Sequence, residues 1–160
     1  VLNFAGTVRL GWINISVASL PVIVGAMLYG PVGGLLVGLL GAFMGQLLTY
    51  GVTATTILWI LPQAARGLLV GVYAKHCGYK FSSGQLTLAL IGTALVVTAL
   101  NTGAMYIDSV IYNYYSYAYV FGGLVVRIIS GAATAVLMVF VAPPVVNLLN
   151  RSLDTVRTAQ

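Results

Sequence analysis

Residues 86–108 read LTLALIGTALVVTALNTGAMYID, an apolar run from Leu86 that carries no charge until it closes on Asp108. A run of this length crosses the ~30 Å hydrocarbon core of a bilayer as an α-helix, for which ~20 residues suffice. Arg66 and Arg127 sit inside two further apolar runs. An ionisable group at bilayer depth costs a few kcal/mol and marks a substrate or ion pathway by default, so these three side chains are where function is sought.

The composition supports membrane spans rather than core helices. The 160 residues are 60% hydrophobic and 6% charged, with a mean hydropathy of +1.03. Seven basic and two acidic side chains cannot cover a water-soluble globule. The apolar stretches are continuous, not alternating, so the fold class is an all-α membrane protein, one compact bundle, and not a β-barrel. The net charge of +5 then reflects basic loops on the cytoplasmic side rather than a nucleic-acid partner. Cys77 is the single cysteine, so no intrachain disulfide forms, and His76–Cys77 lacks the companions a metal site needs.

Five spans follow: Ile15–Tyr29, Val32–Tyr50, Thr56–Ala74, Leu86–Asp108 and Tyr119–Leu149. Gly30–Pro31 separates the first two, and Pro143–Pro144 interrupts or ends the last. The first span is short, hence tilted, bent or partly re-entrant. Pro21 and Pro62 fall in helical text, where each removes a donor and can kink the axis. Lys75, His76 and Lys80 fill one loop, and Arg151 and Arg157 follow the last span. Both clusters belong on the cytoplasmic side by the positive-inside rule, with residues 151–160 as a cytoplasmic tail and Arg9 outside. The chain starts at Val1; a helix ahead of it would return the N-terminus to the cytoplasm and make six spans.

Small and aromatic residues are clustered. Gly34, Gly38, Gly41 and Gly45 share one face of the second span, and Gly67 and Gly71 repeat the spacing on the third. Such faces serve helix packing within the bundle or docking onto a partner membrane protein. Residues 106–119 hold six of the ten tyrosines. They read as an interfacial aromatic belt, or as a lid that offers flat faces and hydroxyls to a ring-containing ligand.

Depth brings the polar residues together. At ~1.5 Å per residue, Arg66 lies ~15 Å from Thr56, Arg127 ~12 Å from Tyr119 and Asn101 ~10 Å from Asp108. Three helices thus place polar groups at similar depth, as a single cavity would. Trp59 and Gln63 share the Arg66 face, Thr102, Met105 and Tyr106 accompany Asn101, and Gly123, Ser130 and Gly131 accompany Arg127; Gln46 and Tyr50 lie on the second span. Two intramembrane arginines against one aspartate leave a guanidinium for a bidentate carboxylate. The expected ligand is an organic anion with a flat or polar ring. The structural alternative is an Asp108–Arg127 pair, with Arg66 satisfied by backbone carbonyls. None of these groups forms a nucleophile–base pair, and no Walker A sequence is present, so neither catalysis nor ATP hydrolysis is expected of this chain.

The segment Ser19–Gly34, SLPVIVGAMLYGPVGG, with Gly38 and Gly41–Ala42 after it, resembles the substrate-binding S components of energy-coupling-factor (ECF) vitamin transporters. Residues 50–62, YGVTATTILWILP, with Arg66–Gly67 and Gly71, and Leu100–Asn101–Thr102 with Arg127–Ile128, are similar to the folate family of those subunits. The resemblance runs from about Arg9 to Arg151. It implies a bundle of six transmembrane helices in a bacterial plasma membrane, five of them visible here. It further implies one vitamin held near the outer face, and partners comprising a transmembrane coupling subunit and two cytoplasmic ATPases. Relatives commonly carry an acidic residue after the second-span glycines, where this chain has Gln46. On this reading Arg66 and Arg127 hold the anionic end, and Asn101, Thr102, Gln63 and Gln46 fix polar edges. Trp59 and Tyr106 stack on the ring, and Arg9, Trp12, Tyr114 and Tyr115 form an outer gate. No cofactor or metal is implied. The competing classes are a structural or assembly subunit that uses only its glycine faces, and a membrane-embedded transferase.

Overall fold

A computed structural model describes residues 7–10, 13–16, 19–79 and 82–158. The elements are β1 (Thr7–Leu10), β2 (Ile13–Ser16), α1 (Leu20–Tyr50), α2 (Thr56–His76), α3 (Ser83–Ile111), α4 (Tyr117–Phe121) and α5 (Leu124–Thr158). Among the described residues, four helical stretches are long and apolar enough to cross a membrane: Leu20–Tyr50, Thr56–His76, Gly84–Ile111 and Tyr117–Ser152. Side chains such as Leu48, Leu88 and Phe140 stand out from the bundle, as side chains facing lipid do.

α1 is not one rod. Gly30 leaves the helix at φ 73° and ψ −158°, a backbone conformation open to glycine and costly for other residues. In a continuous helix Ala26 and Gly34 would stand ~12 Å apart. Here a methyl at Gly34 would lie 2.6 Å from the Ala26 methyl, and one at Gly25 would lie 3.0 Å from Val37 Cγ2. The chain therefore reverses at Gly30–Pro31, and the first two expected spans are the antiparallel arms of a helical hairpin. The first arm, Leu20 to Tyr29, is ~15 Å long, half a bilayer; the second reaches ~30 Å.

The short arm is the centre of the core. Its Ile23, Val24, Ala26 and Met27 are buried against Val70 of α2, Leu86 and Leu90 of α3, and Met138, Ala142 and Val146 of α5. In lipid such a cluster is held by close packing rather than by removal of apolar surface from water. The second arm lies against α2 through glycines. A methyl at Gly67 would come within 1.9 Å of the Gly34 carbonyl oxygen, one at Gly38 within 2.4 Å of the Gln63 oxygen, and one at Gly71 within 2.5 Å of Pro31 Cα. Gly41 and Gly45 take no part in this seam: nothing lies within 4 Å of where their side chains would be.

Three sequence expectations about the elements are corrected. The first span does not start at Ile15: residues Ile13–Ser16 pair with Thr7–Leu10 as an antiparallel ladder, Ile15 opposite Val8, and β2 lies against α5. The alternation Ile-Asn-Ile-Ser has the period of a strand, with β-branched residues at every other place. Pro21 kinks nothing, because it occupies the first turn of α1, where no intrahelical donor is lost. Pro143 and Pro144 do not end the last helix, which continues to Thr158. Helices in membranes tolerate proline where neighbours hold the axis, and Val139, Ala142 and Val146 are buried on either side.

Candidate functional site

Where α2, α3 and α5 meet, the bundle opens. Arg66 from α2, Ala94, Val97, Thr98 and Asn101 from α3, and Val126, Arg127, Ser130, Gly131 and Thr134 from α5 line one cavity of about 200 Å³. The contributors from α3 recur at steps of three and four, as do those from α5, so each helix turns one continuous stripe inward. A methyl at Gly131 would lie 3.5 Å from Thr98 Oγ1, an ordinary contact, so α3 and α5 leave room for a small side chain at that level. A smaller niche of about 20 Å³ adjoins, lined by Ser19, Thr93, Thr134 and Met138 among others. Arg66 borders both spaces.

The two arginines differ in their partners. Arg127 is engaged: Nη2 donates to the Val120 carbonyl, Nη1 to the Met105 sulfur, and Nε to the Gly123 carbonyl at 3.4 Å. Its guanidinium thus ties the end of α4 and the last turns of α3 to the start of α5. Arg66 has no such satisfaction, since its Nη1 is buried without a hydrogen-bond partner. A buried donor left unpaired costs ~1–3 kcal/mol, more for a charged group, and a guest with a carboxylate would recover that cost.

Asp108 does not pair with Arg127, so the structural alternative anticipated from the sequence is not formed. Thr55 Oγ1 donates to its Oδ1 at 2.5 Å, and the Tyr114 hydroxyl donates to Oδ2. The carboxylate therefore ties the turn before α2 to the loop after α3. Tyr114 lies in that loop, beyond the span. Its bond to Asp108 pushes the phenol above its ordinary value, because losing the proton would set two anions face to face.

The expected site residues fall into groups. Arg66, Asn101 and Arg127 line the cavity. Trp59 stands near Asp108 and not among the residues lining the cavity. Gln63 keeps a buried Oε1 without a partner, one turn from Arg66 on α2. Thr102 donates to the Thr98 carbonyl at 2.8 Å, and Thr102, Tyr106 and Gln46 are not among the residues lining the cavity. Tyr106 meets Tyr115 edge to face at 5.5 Å, and Tyr114 meets Tyr119 likewise at 5.4 Å. Arg9 falls on β1; its side chain, and Trp12 as a whole, lie outside the described residues, as do Lys80 and the side chain of Arg157. Thr93, Thr98 and Thr134 were missed by sequence reasoning. The signal was present, since Thr98 is one turn before Asn101 and Thr134 two turns after Arg127, but threonine in a membrane helix is too ordinary to stand out.

Chemically the cavity offers a free guanidinium N–H, an amide and hydroxyl oxygens: groups that bind and orient a polar guest. A search of curated proteins returns no match to the chain. The family model described as ECF transporter, substrate-specific component, matches residues 1–146. That is most of the chain, its apolar helices are those of a membrane protein, and the family's work is to bind a substrate in association with a transporter module. The chain belongs to the ECF transporter substrate-specific component family.

Proposed function

We propose that this chain binds a small anionic, ring-containing vitamin of the folate type in the cavity between α2, α3 and α5. It passes that vitamin inward by association with a transmembrane coupling subunit and two cytoplasmic ATPases, and has no catalytic activity of its own. The setting is a bacterial plasma membrane, with one bundle over residues 1–160 and residues 151–160 facing the cytoplasm. The observation that carries the reading is the buried, unpartnered Nη1 of Arg66 on the wall it shares with Asn101 and Arg127. Arg66 takes the anionic group and Asn101 a polar edge. Arg127 borders the same space while holding α4. Outside the lining of the cavity, Gln63 and Thr102 are assigned further polar contacts with the part of the ligand that projects from it, Trp59 and Tyr106 a stacking surface, and Tyr114 and Tyr115 the outer lid.

A second reading, a smaller vitamin such as pantothenate, is favoured by size. The cavity of about 200 Å³ is below the ~300–1,000 Å³ usual for ligand pockets, so it receives one end of a folate-sized molecule or the whole of a compact one. Mass spectrometry of ligand co-purified with the detergent-solubilised protein, followed by titration calorimetry against a vitamin panel, tests both. Tight binding of folate supports the first reading and selective binding of pantothenate the second. Binding of neither vitamin removes both and favours a structural or assembly subunit.

A further inference from the structure

The threonines that border the cavity and its niche have their protons directed elsewhere. Thr93 Oγ1 donates to the Ala89 carbonyl at 2.7 Å, and Thr98 Oγ1 to the Ala94 carbonyl at 2.8 Å. Thr102 on α3 and Thr134 on α5 make the same bond one turn back, each at 2.8 Å. A hydroxyl has one proton and two lone pairs. With the proton on a helix carbonyl, the Thr93 and Thr98 oxygens can offer a guest only lone pairs. Both residues are buried, at 7% and 8% exposure, so turning the proton toward a guest would give up a hydrogen bond made inside the bundle, although the carbonyl keeps its helix N–H partner.

Arg66 has the opposite character. A guanidinium donates and cannot accept, and its Nη1 is buried without a partner. Two walls of one space therefore make opposite demands. A carboxylate oxygen suits Arg66 but would meet the oxygens of α3 acceptor against acceptor. The niche of about 20 Å³ beside Thr93 holds one water-sized group, the size of an amino or hydroxyl substituent.

We propose that the cavity is polarised: its α2 wall, at Arg66, receives an anionic acceptor, while its α3 wall at Thr98, with Thr93 in the adjoining niche, receives N–H or O–H donors of the same molecule. The ligand class is a carboxylate that carries amide, amino, ring N–H or hydroxyl donors beside its charge, and carboxylates with acceptors alone are rejected. This rests on the cavity assigned under Proposed function as the binding site, and not on the vitamin being folate.

Titration calorimetry of the detergent-purified full chain with folate, pantothenate and lipoate tests it, lipoate being a carboxylate without N–H or alcohol donors. We expect a donor-bearing vitamin to bind at least about tenfold more tightly than lipoate. Thr98→Val should weaken that vitamin about five- to tenfold, Thr98→Ser should restore it, and lipoate should bind both variants alike. Thr93→Val should act in the same direction. Lipoate binding as tightly as the donor-bearing vitamins overturns the proposal on the wild-type chain alone, whatever the variants do. Folate bound equally by wild type and Thr98→Val overturns it and leaves the folate reading standing. Pantothenate bound with Thr98 dependence and folate not bound supports it and removes the folate reading. Binding of no member of the panel overturns both.

Discussion

The contact between α2 and the second arm of α1 and the gap between α2, α3 and α5 share one helix, yet one is sealed and the other hollow. On the sealed side Gly34, Gly38, Gly67 and Gly71 bring backbones so close that a single methyl would strike a carbonyl or a Cα. On the hollow side Arg66, Asn101, Arg127 and Thr134 border polar space between α2, α3 and α5. Without a hydrophobic effect to drive helices together, small residues decide where a membrane bundle closes. Larger polar residues at the same helical steps decide where it stays open. A single helix can do both when its two stripes face different neighbours.

The largest expected effect breaks the sealed side. Gly67→Ala puts a methyl 1.9 Å from the Gly34 oxygen, and backbone on both sides has no room to yield. A loss of ~3 kcal/mol or more is expected, read as a fall in the melting temperature of the detergent-solubilised protein; an unchanged melt would refute the seam. Next comes Arg66→Met on the hollow side. It removes a buried donor without a partner, so the ligand-free protein should gain ~1 kcal/mol while affinity for an anionic vitamin drops by ~2 kcal/mol or more. Stability and binding moving together would make Arg66 a packing residue.

Asp108→Ala addresses the outer rim. It strips Thr55 and Tyr114 of their acceptor, with an expected loss of ~1–2 kcal/mol, while Asp108→Asn, which keeps a carbonyl oxygen for Thr55, should cost less. Equal losses for the two variants would show that the charge, not hydrogen bonding, holds the rim. The smallest change is Gly41→Ala. Nothing surrounds that position, so the replacement should be neutral or add up to ~1 kcal/mol through helix propensity. A loss like that of Gly67→Ala would mean that the glycine stripe is continuous after all.

The apolar runs made the long helices legible, and Gly30–Pro31 marked the break between the two arms of α1. Run length and glycine conformation are local properties, so the sequence states them directly. The strand Ile13–Ser16 was harder, because four alternating residues beside an apolar run look like the start of that run. Pro143–Pro144 misled for a different reason: proline's cost in a helix depends on neighbours that sequence does not name. Glycine spacing likewise put Gly41 and Gly45 on the face of Gly34 and Gly38, but could not say where α2 diverges from it. For the polar residues, depth counting brought Arg66, Asn101 and Arg127 to one level, and all three border the same space. Which acid meets which base was not legible. Arg127 turns to the carbonyls of Val120 and Gly123 and Asp108 to Thr55 and Tyr114, and these are choices of rotamer and loop path.

The half-length arm of α1 has a consequence for the thickness of the bundle. Between Gly30, where the Tyr79 hydroxyl stands against the reversal, and Ser19, which borders the niche, a slice through the described residues cuts five rods. Ser19 marks the start of that arm, and the larger cavity lies among α2, α3 and α5 around Arg66, Asn101 and Arg127. The plugged half and the hollow half follow from the place where a ten-residue helix begins.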